Sequence, residues 1–165
     1  MLSNILTALV AIEHLYILYM EMFAWETRGK GFFKSLPEHL FGPTKGMAAN
    51  QGLYNGFLSA GLVWSYFIND DTWSCNVRLF FLSCVFVAGL YGALTASRKI
   101  FFFQALPALL AGVATLLFIK TNAWLGKLAV QAKRLFLYYL PDVTISSSFS
   151  SKISGFFLKA FKLKS

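Results

Sequence analysis

Three ionisable side chains lie inside the first long apolar stretch of the chain, at Glu13, His14 and Glu21. At about 100° per residue, a helix would place all three within one third of its surface. A carboxyl and an imidazole can exchange protons, and such groups inside a membrane span usually face other helices or a watery cavity. We therefore predict an inward-facing polar stripe that handles a proton or binds a ligand. In the alternative interpretation, Glu21 lies at headgroup level and the other two only satisfy neighbouring polar groups.

A second set of polar side chains occurs in the next apolar stretch. Asn50, Gln51, Tyr54 and Asn55 fall along one side of a helix. Amide side chains inside a membrane either hydrogen-bond across helix contacts or present polar groups to a ligand, and the sequence leaves both roles open. The third and fourth apolar stretches add one candidate each. The predicted ligand-binding residues are Glu13, His14, Glu21, Asn50, Gln51, Tyr54, Asn55, Tyr91 and Gln104.

The composition identifies the elements that must position these residues. The chain of 165 residues is 57% apolar and 13% charged, whereas soluble domains average about 45–50% and about 25%. This composition excludes disorder and disfavours a water-soluble fold. Four stretches are long enough to cross a hydrocarbon core of about 30 Å. We predict an all-α, multi-pass protein of the cell membrane, an antiparallel four-helix bundle with transmembrane spans at about 3–25, 47–68, 77–97 and 100–119.

Small residues recur along the second and third predicted spans. Gly52 and Gly56 share one helix face, and Gly89 and Gly92 share another. Small residues let helix backbones approach closely, so these faces could pack inside the bundle or contact a membrane-protein partner or a second copy. Pro107, in the fourth span, removes a backbone hydrogen bond and predicts a kink there.

Basic residues are concentrated in short loops and in the tail at 120–165. Because Lys and Arg favour the cytoplasmic side, the segment 26–46 and the third-to-fourth turn place both termini outside, whereas the tail opposes that orientation. Apolar and basic residues alternate by helix face at 124–139 and again at 153–162, which predicts amphipathic helices on the membrane interface; a weakly ordered extension is the alternative. The predicted lipid-headgroup residues are Arg98, Lys99, Lys127, Lys133 and Arg134.

Several familiar signatures are absent from the sequence. It has no glycine-rich phosphate loop, nucleophile elbow, zinc-binding His-Glu pair or nucleic-acid motif. Cys75 and Cys84 would lie about 13 Å apart on one helix, beyond disulfide reach. We therefore predict no metal, no cofactor and no nucleic-acid partner, and we expect membrane lipids to attract the formal charge of +8.

Three strings of residues carry a resemblance to a known family. They are EHLYILYMEMFAW at 13–25, TKGMAANQGLYNGFLSAGLVW at 44–64 and CVFVAGLYGALTASRKIFFFQALPALLA at 84–111. Over most of residues 1–119 the chain resembles the bacterial and fungal membrane family called domain of unknown function 1304. The resemblance implies a compact protein of four membrane helices and supplies no reaction. The tail after about Lys120 departs from the short family pattern.

Three functional hypotheses follow from these residues. The leading one is a non-enzymatic protein that binds or transports a proton or a small polar or amphiphilic molecule through the Glu13 and His14 stripe. A membrane enzyme acting on a lipid or quinone is the second, with either residue as general acid or base; it would need another reactive group in reach, such as Tyr54, Tyr91 or Cys84. A structural or assembly subunit that uses the glycine faces is the third.

Overall fold

Helices make up nearly all of the part of the chain that the structure describes, and short turns connect them. The computed structural model describes residues 1–34 and 36–139, and these ranges contain no strand. The all-α prediction is therefore confirmed. The helices are α1 at Leu2–Phe23, α2 at Lys30–Phe32, α3 at Phe41–Trp64, α4 at Asp71–Thr95 and α5 at Leu106–Tyr139, with π-helical turns at Trp25–Gly29 and Phe101–Ala105 and 3-10 turns at Glu38–Leu40 and Ser65–Phe67.

Three helical segments in the described ranges are long and apolar enough to cross a membrane. They are Leu2–Phe23, Asp71–Thr95 and Phe101–Phe136, and they indicate a membrane protein. The helix α3 has 24 residues and overlaps the predicted second span at 47–68, but it begins six residues earlier and ends four residues earlier, and it is not among the three. Its lower hydropathy follows from its sequence, which combines one lysine with several amide side chains and glycines.

The ends of α4 and α5 differ from the predicted spans for local reasons. The helix α4 begins six residues before the predicted span at 77–97, because the side chain of Asp70 accepts a hydrogen bond from the backbone N–H of Trp73 at 2.7 Å and caps the helix. The helix α5 continues past the predicted end at 119 to Tyr139. No proline stands between Pro107 and Pro141 to end it. The predicted pattern at 153–162 lies outside the described residues.

Residues 2–117 form one compact unit, while Met1 and residues 118–139 belong to a second. The first unit is held together by side chains from α1, α3, α4 and the first part of α5. Small and branched apolar residues dominate this core, so the helices pack with little space between them. The buried core residues are Val10, Ala11, Leu62, Leu82, Val85, Ala108 and Ala111.

Glycines set the spacing between neighbouring helices of this unit. A Cβ atom on Gly52 would stand 3.1 Å from the carbonyl oxygen of Leu18, and one on Gly89 would stand 2.7 Å from the backbone nitrogen of Ala105. The backbones of α1 and α3 therefore meet at Gly52, and α4 meets the π-helical turn at Gly89. The Gly52/Gly56 and Gly89/Gly92 faces, for which the sequence left contact with a partner protein open, therefore lie against other helical segments of the same chain.

Aromatic packing and two ion pairs organise the connection between α1 and α3. The Trp25 ring lies with its centroid 5.1 Å from that of Phe33 and 5.0 Å from that of Phe41. Lys45 Nζ contacts Glu26 Oε2 at 2.6 Å. The hydrogen bond and positive charge of Lys45 lower the pKa of the Glu26 carboxyl below its ordinary value. Lys30 pairs in the same way with Glu38 at 2.8 Å, and it lowers the pKa of that carboxyl too.

Candidate functional site

His14 is fully buried and uses both of its ring nitrogens. Its Nδ1 lies 2.9 Å from the carbonyl oxygen of Val10, and its Nε2 lies 3.0 Å from Nε2 of Gln104. A carbonyl only accepts and an amide nitrogen only donates. Nδ1–H therefore donates to Val10, and Nε2 accepts from Gln104. These contacts fix a neutral imidazole in one tautomer and connect α1 to the segment before α5.

The backbone around Gln104 explains how this side chain reaches His14. Gln104 lies in the π-helical turn Phe101–Ala105, where the N–H of Leu106 bonds to the carbonyl of Phe101, five residues earlier. Pro107 follows Leu106 and has no backbone N–H that could donate a hydrogen bond. The π-helical turn occurs next to the proline at which the sequence predicts a kink. Single π-helical turns inside longer helices are often found at functional sites.

Glu21 lies at the same face of α1 as His14, two turns further along, and is only 7% exposed. Its Oε2 accepts a hydrogen bond of 2.9 Å from Nδ2 of Asn55 on α3. The same amide nitrogen also donates to the carbonyl of Gln51 at 3.2 Å, which holds the side chain in place. The close approach at Gly52, whose Cβ would stand 3.1 Å from Cβ of Glu21, brings the two helices within reach of this bond.

Glu13 differs from its two neighbours on the stripe. It is half-buried, yet within residues 1–34 and 36–139 no hydrogen bond or ion pair involves its carboxyl. The ion pairs formed by the described residues join Lys30 to Glu38 and Lys45 to Glu26. Neither carboxyl of the stripe is therefore neutralised by a basic side chain of this part of the chain.

Four of the other candidate residues lie away from this group. Asn50, Gln51, Tyr54 and Tyr91 are exposed. The ring of Tyr54 makes an edge contact with Phe57, and none of the four side chains bonds to the α1 stripe. The structure therefore brings together two pairs, His14 with Gln104 and Glu21 with Asn55. The sequence could place each residue on a helix face, but it could not tell which helix that face meets.

The predicted headgroup residues are all exposed. Arg98 lies beside a surface groove of about 380 Å³ that Leu94, Phe101 and Phe102 also line. Lys99 follows it in the turn between α4 and the π-helical segment, and the remaining three lie on α5, at Lys127, Lys133 and Arg134. In the described part of the chain no three His, Cys, Asp or Glu side chains are grouped so that they could hold a metal ion.

The sequence reasoning missed a polar layer around Arg78 at the opposite end of α1. This side chain is only 5% exposed. Its Nη1 donates to Asn4 Oδ1 at 2.6 Å and to Ser3 Oγ at 3.1 Å, and its Nε lies 3.5 Å from Ser65 Oγ. Ser3 Oγ in turn lies 2.7 Å from Thr115 Oγ1 on α5. The sequence did contain a signal for this layer. Arg78 lies within an apolar stretch, and Ser3, Ser65 and Thr115 lie near the corresponding ends of the other three stretches.

The helical fold of the described residues and its three long apolar helices indicate a membrane protein. The chain belongs to the family described as Protein of unknown function (DUF1304), which matches residues 8–116 and confirms the resemblance read from the sequence. It is 35% identical over 116 residues to Uncharacterized protein YpaA of Lactococcus lactis subsp. lactis (strain IL1403), a match that covers 69% of this chain and 96% of that protein. No solved structure matches the chain. The family match includes both polar pairs and Arg78 and ends before the basic residues of α5.

Proposed function

We propose that this protein crosses the cell membrane four times and binds or transports a proton, or a small polar or amphiphilic molecule, through the α1 stripe. In this proposal α3 also crosses the membrane, in addition to the three helical segments that are long and apolar enough by themselves. Its 24 residues extend about 36 Å, more than the hydrocarbon core of about 30 Å. Its polar residues are partly covered by α1, since Asn55 bonds to Glu21 and Ser59 Oγ donates to the Ala11 carbonyl at 2.8 Å.

The observation that carries the proposal is the difference between Glu13 and its neighbours. An ionisable group within a span is costly and is usually retained for a function. His14 and Glu21 have amide partners from other helices, which is enough to explain their burial structurally. Glu13 is half-buried with no partner among the described residues. Its carboxyl is therefore the group of the stripe that is free to accept a proton or to bind the polar part of a ligand.

The chemistry of the stripe supports a proton role more directly than a reaction. A carboxyl can take up and release a proton without a cofactor. His14 next to it accepts at Nε2 only from Gln104, so protonating this ring requires that the Gln104 amide turn or move away. Glu13 would take up the proton first, and the imidazole would follow only if the segment that carries Gln104 moves.

The experiment is a thermal-shift titration against pH with the purified full-length chain in lipid nanodiscs. We expect a pH-linked change in Tm that the Glu13→Gln substitution abolishes. The matched control is Asp71→Asn, which changes an exposed carboxyl that lies outside the stripe and takes part in neither ion pair of the described residues, and it should keep the parent profile. If Glu13→Gln has the same pH profile as the parent protein, Glu13 does not bind the proton and the proposal fails in this form.

Binding and transport are separated by a second measurement. Proteoliposomes that contain a pH-sensitive dye report proton movement after an external pH step. A faster internal change in the parent than in the Glu13→Gln variant supports transport, and equal rates combined with a shifted Tm support binding alone. A panel of small polar and amphiphilic molecules in the same thermal-shift assay tests ligand binding.

The two other hypotheses have weaker support. A membrane enzyme needs a second reactive group beside Glu13 or His14, but Tyr54 and Tyr91 are exposed and bond to neither, and no bond joins Cys84 to either residue in the described ranges. An assembly subunit that binds through its glycine faces would need those faces free. We further propose that the five predicted headgroup residues, such as Arg98 and Lys127, contact anionic lipid headgroups.

A further inference from the structure

Arg78 carries a positive charge into the protein without a negative partner. It is 5% exposed, and the ion pairs of residues 1–34 and 36–139 involve only Glu26 and Glu38 as acids. Its hydrogen bonds go to neutral oxygen atoms of Ser3, Asn4 and Ser65. Removing a charge from water costs several kcal/mol of desolvation free energy, and hydrogen bonds to neutral acceptors offset only part of that cost. The charge is therefore left for an anion to neutralise.

The hydrogen bonds also leave donors of this layer available. Nη2 of Arg78 is not among the donating atoms. No fully buried side-chain nitrogen or oxygen of the described residues lacks a hydrogen-bond partner, so Nη2 keeps some surface that a molecule from outside can reach. Asn4 is exposed and uses Oδ1 to accept from Arg78. Its Nδ2 is thus turned away from the guanidinium and can donate a hydrogen bond to the same ligand.

Neighbouring groups orient these donors. The guanidinium carbon of Arg78 lies 5.0 Å from the centroid of the Tyr66 ring, a cation–π distance. The Tyr66 hydroxyl donates to the backbone carbonyl of Asn4. Ser74 Oγ donates to the carbonyl of Ser65 at 2.6 Å, which ties α4 to the end of α3. The arginine is therefore held from two sides and needs little reorganisation to bind a ligand.

The depth of the layer indicates the chemistry of the ligand. Ser3 and Asn4 stand in the first turn of α1, at the end of an apolar helix long enough to span a membrane. This is the level at which lipid phosphates and dissolved anions meet a membrane protein. The first backbone N–H groups of a helix and its dipole also favour an anion at that end. A planar guanidinium suits the paired oxygens of a phosphate group.

We propose that Arg78, Asn4 and the first turn of α1 form a binding site for a phosphate group, carried either by an anionic lipid headgroup or by a soluble phosphate. Arg78 supplies the charge, and its Nη2 donates to one phosphate oxygen. Asn4 Nδ2 donates to a second oxygen. The hydroxyls of Ser3 and Ser65 hold the guanidinium, Thr115 bonds to Ser3, and none of the three touches the ligand. This site is separate from the α1 stripe, and its occupation does not depend on the proton role of Glu13.

The test measures the Tm of the purified full-length protein in nanodiscs. Inorganic phosphate is titrated into discs of neutral phosphatidylcholine, with sodium chloride at equal ionic strength as the salt control. In parallel, Tm is compared between neutral discs and discs that contain phosphatidylglycerol. A rise with phosphate in neutral discs supports the site and assigns it to a soluble phosphate. A rise only in the anionic discs, retained in high salt, supports the site and assigns it to a lipid headgroup.

Variants separate the site from general attraction to anions. Asn4→Ala removes one exposed donor and also the Oδ1 that accepts from Arg78, which keeps its bonds to Ser3 and Ser65. We expect affinity for the probe to fall about tenfold, the usual effect of losing one charge-assisted hydrogen bond. Arg28→Gln removes an exposed cation outside the site and outside the predicted headgroup residues, and it should leave affinity unchanged. Arg78→Lys should fold and bind more weakly, because an ammonium group lacks the fork of donors.

A chemical readout keeps the proposal testable if an Arg78 variant fails to fold. Phenylglyoxal modifies accessible guanidinium groups, and mass spectrometry locates the product. Phosphate or phosphatidylglycerol should slow the modification of Arg78 in the parent protein but not that of the exposed Arg28. The proposal is overturned if neither probe raises Tm beyond the salt control, or if Arg28→Gln weakens the effect as much as Asn4→Ala does.

Discussion

The contact between α4 and the π-helical turn allows a sharp prediction, because glycine is required there by backbone atoms. In a Gly89→Ala variant the new methyl carbon would stand 2.7 Å from the backbone nitrogen and 3.0 Å from Cα of Ala105. Favourable contacts between such atoms begin near about 3.5 Å. A flexible side chain could move aside, but the backbone of Ala105 cannot. The helices must therefore separate by roughly 0.8 Å at this point.

The expected magnitude combines two opposing effects. Overpacking of a tight contact costs about 1–3 kcal/mol. Replacing glycine by alanine inside a helix recovers about 0.5–1 kcal/mol. Gly89→Ala should therefore lower the free energy of unfolding by about 0–2.5 kcal/mol, with a central value of roughly 1 kcal/mol. The matched control is Gly112→Ala in α5, where an added Cβ meets nothing within 4 Å, and this variant should gain about 0.5–1 kcal/mol.

Both variants can be measured by titrating the purified protein from mild detergent into sodium dodecyl sulfate and following helicity by circular dichroism. Both substitutions replace glycine by alanine inside a helix. If they change the free energy of unfolding in opposite directions, the difference is due to the packing of Gly89 against Ala105. Gly89→Ala should also disturb the neighbouring Gln104 and its bond to His14. If Gly89→Ala is as stable as Gly112→Ala, α4 and the π-helical turn do not pack as described.

Two further predictions concern hydrogen bonds and charge. In a double-mutant cycle of His14→Leu and Gln104→Leu, the coupling energy should be about 0.6 kcal/mol and at most about 1.7 kcal/mol, the range of hydrogen bonds between membrane helices; additive effects in the unfolding titration would contradict the bond. Lys45 lowers the pKa of Glu26 below its ordinary value of 4.5, so the pair stabilises the fold above that value and is lost as pH falls through the lowered pKa. A carboxyl-detected NMR titration should show the Glu26 midpoint below 4.5, rising toward it in Lys45→Gln, and equal midpoints would show that the pair does not form.

The sequence was sufficient to predict the class of fold. Apolar stretches of spanning length and a low charge content predict membrane helices from the energetics of lipid alone, and the helical structure agrees. The ends of the helices were harder to predict from the sequence, because they depend on local capping residues and helix breakers. Asp70 as a cap of α4 could have been read from its residue type, and the absence of proline after Pro107 could have extended α5.

The pairing of polar side chains could be predicted only in part. Helix periodicity places Glu21 and His14 on one face, but their partners depend on the angle and distance at which other helices cross. Asn55 reaches Glu21 because Gly52 permits close approach, and Gln104 reaches His14 from a π-helical turn. The role of Arg78 could not be predicted, because its partners, such as Ser3 and Ser65, are far apart in the chain.

The aromatic packing around Trp25 gives the protein a built-in spectroscopic reporter. Of its four tryptophans, Trp25 is 9% exposed, while Trp64, Trp73 and Trp124 are between 57% and 64% exposed. The Trp25 indole N–H also donates to Thr44 Oγ1 at 3.1 Å. Collisional quenchers should therefore suppress the emission of the three outer indoles and leave that of Trp25. The residual fluorescence would report the opening of the junction between α1 and α3 without any attached dye.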